Sequence, residues 1–205
     1  MKRAGAVLFI LAVAASEALA ASPGKTAGKA FKIDVGGGVV IQDFANDSGG
    51  VGPDPRGIFM TVGLVQRRGL VFRINASTSS DELFTFADLG SGSEPTVDSF
   101  DLTRLEASVG YMFNQRGLVR LYVHGGYSLF NLQEKFKGRT SGIGLKQIDD
   151  SGGVPSVGAG VEVGDGHHIL IFDLSADPGL EFTTRLGTKE KFSMGGVYAG
   201  YTYQF

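Results

Sequence analysis

The sequence contains no cysteine and no tryptophan, and only three histidines and six prolines among its 205 residues. Without cysteine there is no disulfide, no thiolate metal site and no cysteine nucleophile. No stretch of 18 or more apolar residues occurs, which argues against a membrane-spanning helix. A strong charge of either sign is also missing, since the formal net charge is −2. That balance leaves no electrostatic footprint for nucleic acid and no polybasic surface. No catalytic, cofactor-binding or metal-binding constellation emerges. The pair His167-His168 straddles opposite faces of a strand, so both side chains cannot chelate one metal.

What is present starts with an address. Lys2 and Arg3 give a positive start, Ala6 to Ala15 is apolar, and Ala18-Leu19-Ala20 forms a small-x-small cleavage site before Ala21. The apolar run from Ala4 to about Ala15 is too short for a spanning helix, which needs roughly 20 residues. No cysteine follows it, so a lipid anchor on a processed cysteine is not expected. Residues 1–20 are therefore expected to be a signal peptide, 21–30 a short N-terminal segment and 31–205 one domain.

Within that domain apolar and polar residues alternate with period two, the mark of a strand with two different faces. The pattern predicts eight strands: Phe31–Phe44, Arg56–Gln66, Gly69–Ser79, Phe100–Asn114, Gly117–Phe130, Val154–Gly164, His167–Ala176 and Phe192–Phe205. Three connections are dipeptides: Arg67-Arg68, Gln115-Arg116 and Asp165-Gly166, the last favoured in tight hairpins because it tolerates positive φ. The other four, Ala45–Pro55, Ser80–Ser99, Asn131–Gly153 and Asp177–Lys191, are long. Long and short alternate strictly. That is the plan of an outer-membrane barrel, with short periplasmic turns and longer external loops. The predicted fold is an all-β, eight-stranded antiparallel up-and-down transmembrane β-barrel.

Lipid leaves no free partner for a backbone polar group, so a spanning sheet has to close on itself, with an uncharged outer face. The strands obey this. The fourth sets Leu105, Ala107, Val109, Tyr111 and Phe113 against Arg104, Glu106, Ser108 and Gly110. The first sets Ile33, Val35, Val39 and Ile41 against Lys32, Asp34, Gly36, Gly38 and Gln42. Within those rows each strand carries two charges, Lys32 with Asp34 and Arg104 with Glu106, and both pairs fall on one face. Phe31, Tyr111, Phe113, Tyr201, Tyr203 and Phe205 form a periplasmic aromatic girdle. An external girdle is weaker, because Phe44, Phe59 and Phe100 fall on the inward parity unless a bulge turns them.

The chain closes on Tyr201-Thr202-Tyr203-Gln204-Phe205, an alternating strand ending in an aromatic residue. In this it resembles the small outer-membrane barrels of the OmpA transmembrane domain, OmpX and opacity-protein kind. The resemblance implies that Tyr201, Tyr203 and Phe205 act as the insertion signal read by the barrel-assembly machinery. It implies residence in a Gram-negative outer membrane, contact with its lipid and lipopolysaccharide, and a structural, adhesive or surface-recognition role.

The inward positions include Lys32, Arg73, Arg104 and Arg120, balanced by Asp34, Glu106, Glu162 and Asp173, with His124 beside them. Eight strands leave a lumen barely wide enough for side chains, so these charges are expected to pair as an ionic plug. Counting from the turns predicts a lower level of Asp34, Arg73, Arg120, Glu162 and Asp173, and a higher one of Arg104, Glu106 and His124. A narrow pore for small solutes is the second reading and a lipid A-modifying enzyme the third. Against the enzyme, His124 and Ser128 share a face but lie roughly 13 Å apart at about 3.3 Å per residue. Two runs, Asp47-Ser48-Gly49-Gly50-Val51 and Asp150-Ser151-Gly152-Gly153-Val154, contain the Asp-Ser-Gly-Gly of trypsin-like proteases. Neither has the disulfides or a His–Asp pair, so both read as turns. Specific function is then expected in the loops. Segment 80–99 holds Asp81, Glu82, Asp88, Glu94 and Asp98 and no basic residue, fitting bridging cations or an unknown extracellular ligand.

Overall fold

A computed structural model describes residues 31–46, 54–85, 96–137, 149–183 and 189–205. The expected signal peptide, the segment 21–30, the run Asp47–Val51 and the middle of the acidic segment, with Asp88 and Glu94, lie outside the described residues. The rest forms eight strands: β1 (Phe31–Asn46), β2 (Arg56–Gln66), β3 (Leu70–Thr85), β4 (Thr96–Phe113), β5 (Val119–Lys137), β6 (Asp149–Asp165), β7 (His168–Thr183) and β8 (Lys189–Gln204). Each pairs antiparallel with its chain neighbour, and β1 pairs with β8 to close the barrel. Closure removes the sheet edge, so the ladder satisfies the strands' backbone groups, as a lipid environment demands.

The apolar band is the outside of the barrel. Val39, Ile58, Leu121, Val157, Leu174 and Val197 each expose more than half of their surface. On β1 the band runs from Ile33 to Ile41 and ends at Asp43, which is about the 9–11 residues a tilted barrel strand needs to cross hydrocarbon. A soluble barrel would turn this face inward.

Several strands outrun the sequence-based boundaries at the long-connection end. β3 and β4 stay paired out to Thr85↔Thr96, and β5 reaches Lys137. Beyond the band nothing forces apolar/polar alternation, so the ladder continues where the sequence signal has faded. The run Asp150–Val154, read as a turn, is therefore strand, within β6 and paired with Asn131, Phe130 and Leu129. The β6–β7 hairpin also turns one residue later than expected, on Gly166-His167, with Asp165 opposite His168 and Gly166 at φ 63°.

Glycine matters most where β1 meets β8 and where β6 meets β5. A Cβ on Gly36 would collide with the Tyr201 carbonyl, and one on Gly158 or Gly160 with the His124 or Tyr122 ring. The last two glycines leave room inside the barrel for rings on the neighbouring strand.

Candidate functional site: the charged lumen

Inward parity on eight strands brings the polar side chains together along the axis. Asp34, Arg73, Arg104, Glu106, Arg120, Glu162 and Asp173 are all buried. Lys32 faces the same lumen but sits exposed at the short-turn mouth, where its Nζ donates to Gln204 Oε1 at 2.8 Å. Gln204 in turn donates to Asp34 Oδ1 at 2.6 Å.

Two clusters result. In the lower one, Arg73 Nη2 on β3 donates to Glu162 Oε1 on β6 at 2.7 Å, and lies 3.9 Å from Asp34. Arg120 Nη2 approaches the other Glu162 oxygen at 3.4 Å. In the upper one, Arg104 on β4 reaches Glu106 at 3.2 Å and Asp177 at 2.7 Å, and also donates to Ser128 and to the Tyr198 hydroxyl. Struts from β3 to β6 and from β4 to β7 and β8 tie together walls that share no ladder.

Asp173 departs from the level assigned to it. Its carboxylate lies 3.2 Å from His124 Nε2 and accepts the Tyr122 hydroxyl, while His124 Nδ1 lies 3.5 Å from Glu106. Asp173 thus belongs with the upper cluster. Tyr122 links the two levels, since its ring also carries the Arg73 guanidinium at 4.8 Å. The space beside Arg73, Tyr122 and His124 measures about 10 Å³, on the order of one water molecule.

Two groups were not foreseen. Asp177 fell in the long connection expected over Asp177–Lys191, yet it is buried and holds Arg104. The ladder shifts register between Asp177 and Leu180, with Gly179 at φ 80°. That bulge turns both residues inward although three positions separate them, which regular alternation forbids. The second group is an apolar layer at the long-connection end, where Phe44, Phe100, Leu102, Phe130, Leu132, Val154, Leu180 and Met194 pack together. Phe44 and Phe100 meet edge to face at 5.2 Å. Phe59 is also inward, against Tyr198. Phe44 and Phe100 cap the lumen, Phe59 lies deeper at the level of Arg104, and all three face inward, away from any girdle.

Tyr201 and Phe205 lie on the outer face, with Tyr203 half-buried between them. Tyr203 packs edge to face on Phe205 at 4.8 Å and stacks on His167 at 5.4 Å. His168 also meets Tyr203, edge to face at 5.6 Å, and bonds the Tyr201 hydroxyl. His124 and Ser128 have separate partners: Asp173 and Glu106 for the first, Arg104 and Asp177 for the second. No hydrogen bond joins them among the described residues.

No protein-family profile and no curated protein matches the chain. Solved structures do. The crystal structure of Ail, the attachment invasion locus protein of Yersinia pestis, superposes with a TM-score of 0.59 at 12% identity, covering 86% of this chain and 100% of Ail. The outer membrane protein OprG of Pseudomonas aeruginosa gives 0.60 at 10% identity, covering 86% and 96%. Neisserial surface protein A gives 0.57 at 15% identity, covering 86% and 98%. The fold is that of the small outer-membrane β-barrels. At such identities the likeness shows the backbone fold alone.

Proposed function

We propose that the protein is an integral outer-membrane barrel whose lumen is closed to steady conduction and whose long connections carry a structural, adhesive or surface-recognition role. One observation supports closure above the others. Arg104, fully buried, stands mid-lumen with Glu106, Asp177, Ser128 and Tyr198 around it, beneath the apolar layer that begins at Phe44 and Phe100. A continuous water path would have to break a buried ion pair or wet an aromatic cluster. On this reading the short turns face the periplasm, the first twenty residues direct export, and Tyr201, Tyr203 and Phe205 present the insertion signal.

The surface role rests on less. Ail is by name an attachment protein and has been crystallised with the heparin analogue sucrose octasulfate. Here segment 80–99 is acidic, so a polyanion is disfavoured on that loop and a cationic or cation-bridged partner fits better. Two measurements test the proposal. Unboiled and boiled outer-membrane samples should migrate differently on a denaturing gel, because a closed barrel resists detergent until heated. The purified barrel in a planar bilayer should then show little or no steady conductance. Large, stable current steps would refute the plug, and a soluble periplasmic protein without the gel shift would refute the location.

A further inference from the structure

At the short-turn end, below the lower charge cluster, the lumen opens into a vestibule of about 360 Å³, within the range of small-molecule sites. Its walls include Lys32, Arg67, Arg116 and Arg120, its floor includes Val65 and Met112, and no carboxylate lines it. The cations come from β1, from the β2–β3 and β4–β5 turns, and from the start of β5. Folding therefore gathers residues that are distant in sequence. Lys32, Arg67 and Arg116 have no carboxylate partner among the described residues. Arg120 is 5% exposed, and although its Nη2 faces Glu162 at 3.4 Å, its Nε has no hydrogen-bond partner.

We propose that this basic vestibule binds a phosphate group, carried by a periplasmic solute or by an inner-leaflet lipid headgroup. Like charges converging on one opening repel and call for a counter-anion. Planar guanidinium forks match phosphate and carboxylate alike. Three cations without a carboxylate partner, with Arg120 beside them engaged by Glu162 through Nη2 alone, favour the multiply charged, many-oxygen phosphate over a single carboxylate. The chain's own segment 21–30 is a poor substitute, since it contains Lys25 and Lys29 and no acid. The periplasmic assignment rests on the outer-membrane reading; the site itself does not.

The test uses full-length mature barrel refolded in octyl glucoside, which has no phosphate. Inorganic pyrophosphate is titrated while the backbone amide resonances of Gln115, Arg116 and Arg120 are followed. Saturable shifts confined to the short-turn end are expected, weakened at least tenfold in R67Q/R116Q, which keeps the gel shift on boiling. The titration is repeated in phosphatidylglycerol nanodiscs. A tenfold loss of pyrophosphate affinity there identifies the lipid headgroup as the occupant, whereas unchanged affinity identifies a solute. Absence of saturable binding in micelles, or equal binding by R67Q/R116Q, overturns the proposal. Neither result bears on conductance or location, so this site and the barrel's role fail independently.

Discussion

Arg104→Met is the substitution whose outcome the lumen geometry fixes most closely. Methionine approximates the side chain's length and apolar stem while removing its charge and all its donors. Two buried carboxylates lose their arginine, but they are left unequally provided. Glu106 keeps Ser156 at 3.0 Å, Asn75 at 3.4 Å and His124 at 3.5 Å. Asp177 keeps only Ser128, at 3.1 Å, among the described residues. Removing one member of a buried ion pair costs about 3–5 kcal/mol, mostly because the remaining charge stays desolvated. Asp177 should account for most of that loss, so R104M/D177N should recover most of the stability and R104M/E106Q little. The assay is urea unfolding in lipid vesicles followed by far-ultraviolet circular dichroism, as the chain has no tryptophan. A loss below about 1 kcal/mol for R104M, or a double variant D177N no better than the single, would refute the strut.

Three further outcomes follow from the same geometry. Gly158→Ala and Gly160→Ala force a methyl against the His124 and Tyr122 rings, so each should cost about 1–3 kcal/mol and lower the thermal transition in detergent. Gly195→Ala, where a Cβ meets nothing within 4 Å, should leave that transition unchanged or higher. Val109→Lys, in the middle of the lipid-facing row of β4, should cost about 2–4 kcal/mol in vesicle-folding titrations, and Thr103→Lys, nearer the long-connection end, distinctly less.

The eight strands were legible because lipid on one side and a filled lumen on the other impose a strict period of two. Arg104 with Glu106 on β4 and Lys32 with Asp34 on β1 were enough to orient their strands. The parity rule then placed Arg73, Arg120, His124, Glu162 and Asp173 in one interior. It could not say which of them touch, because partners such as Arg73 and Glu162 stand on walls three strands apart, and reach depends on tilt as well as on count. Asp173 was assigned to the wrong level for that reason. Asp177 and Leu180 were illegible for another: a bulge changes parity locally, and Pro178-Gly179 reads equally well as a loop. Phe44, Phe59 and Phe100 had the correct parity, but the expectation of a girdle worked against it.

A filled lumen needs more than equal numbers of opposite charges. Its described buried carboxylates, Asp34, Glu106, Glu162, Asp173 and Asp177, outnumber the arginines Arg73, Arg104 and Arg120. Enclosed by protein and then by lipid, each carboxylate must find donors nearby. Neutral groups supply them: Gln204 for Asp34, Ser156 for Glu106, Tyr122 for Asp173 and Ser128 for Asp177. Glu162 is the exception among the described residues, and it is the carboxylate held between two arginines. The serines and tyrosines on the inward faces are therefore part of the charge network. That division explains why Ser128, four residues from His124 on the same face, is committed to Arg104 and Asp177 and is not presented to a histidine base.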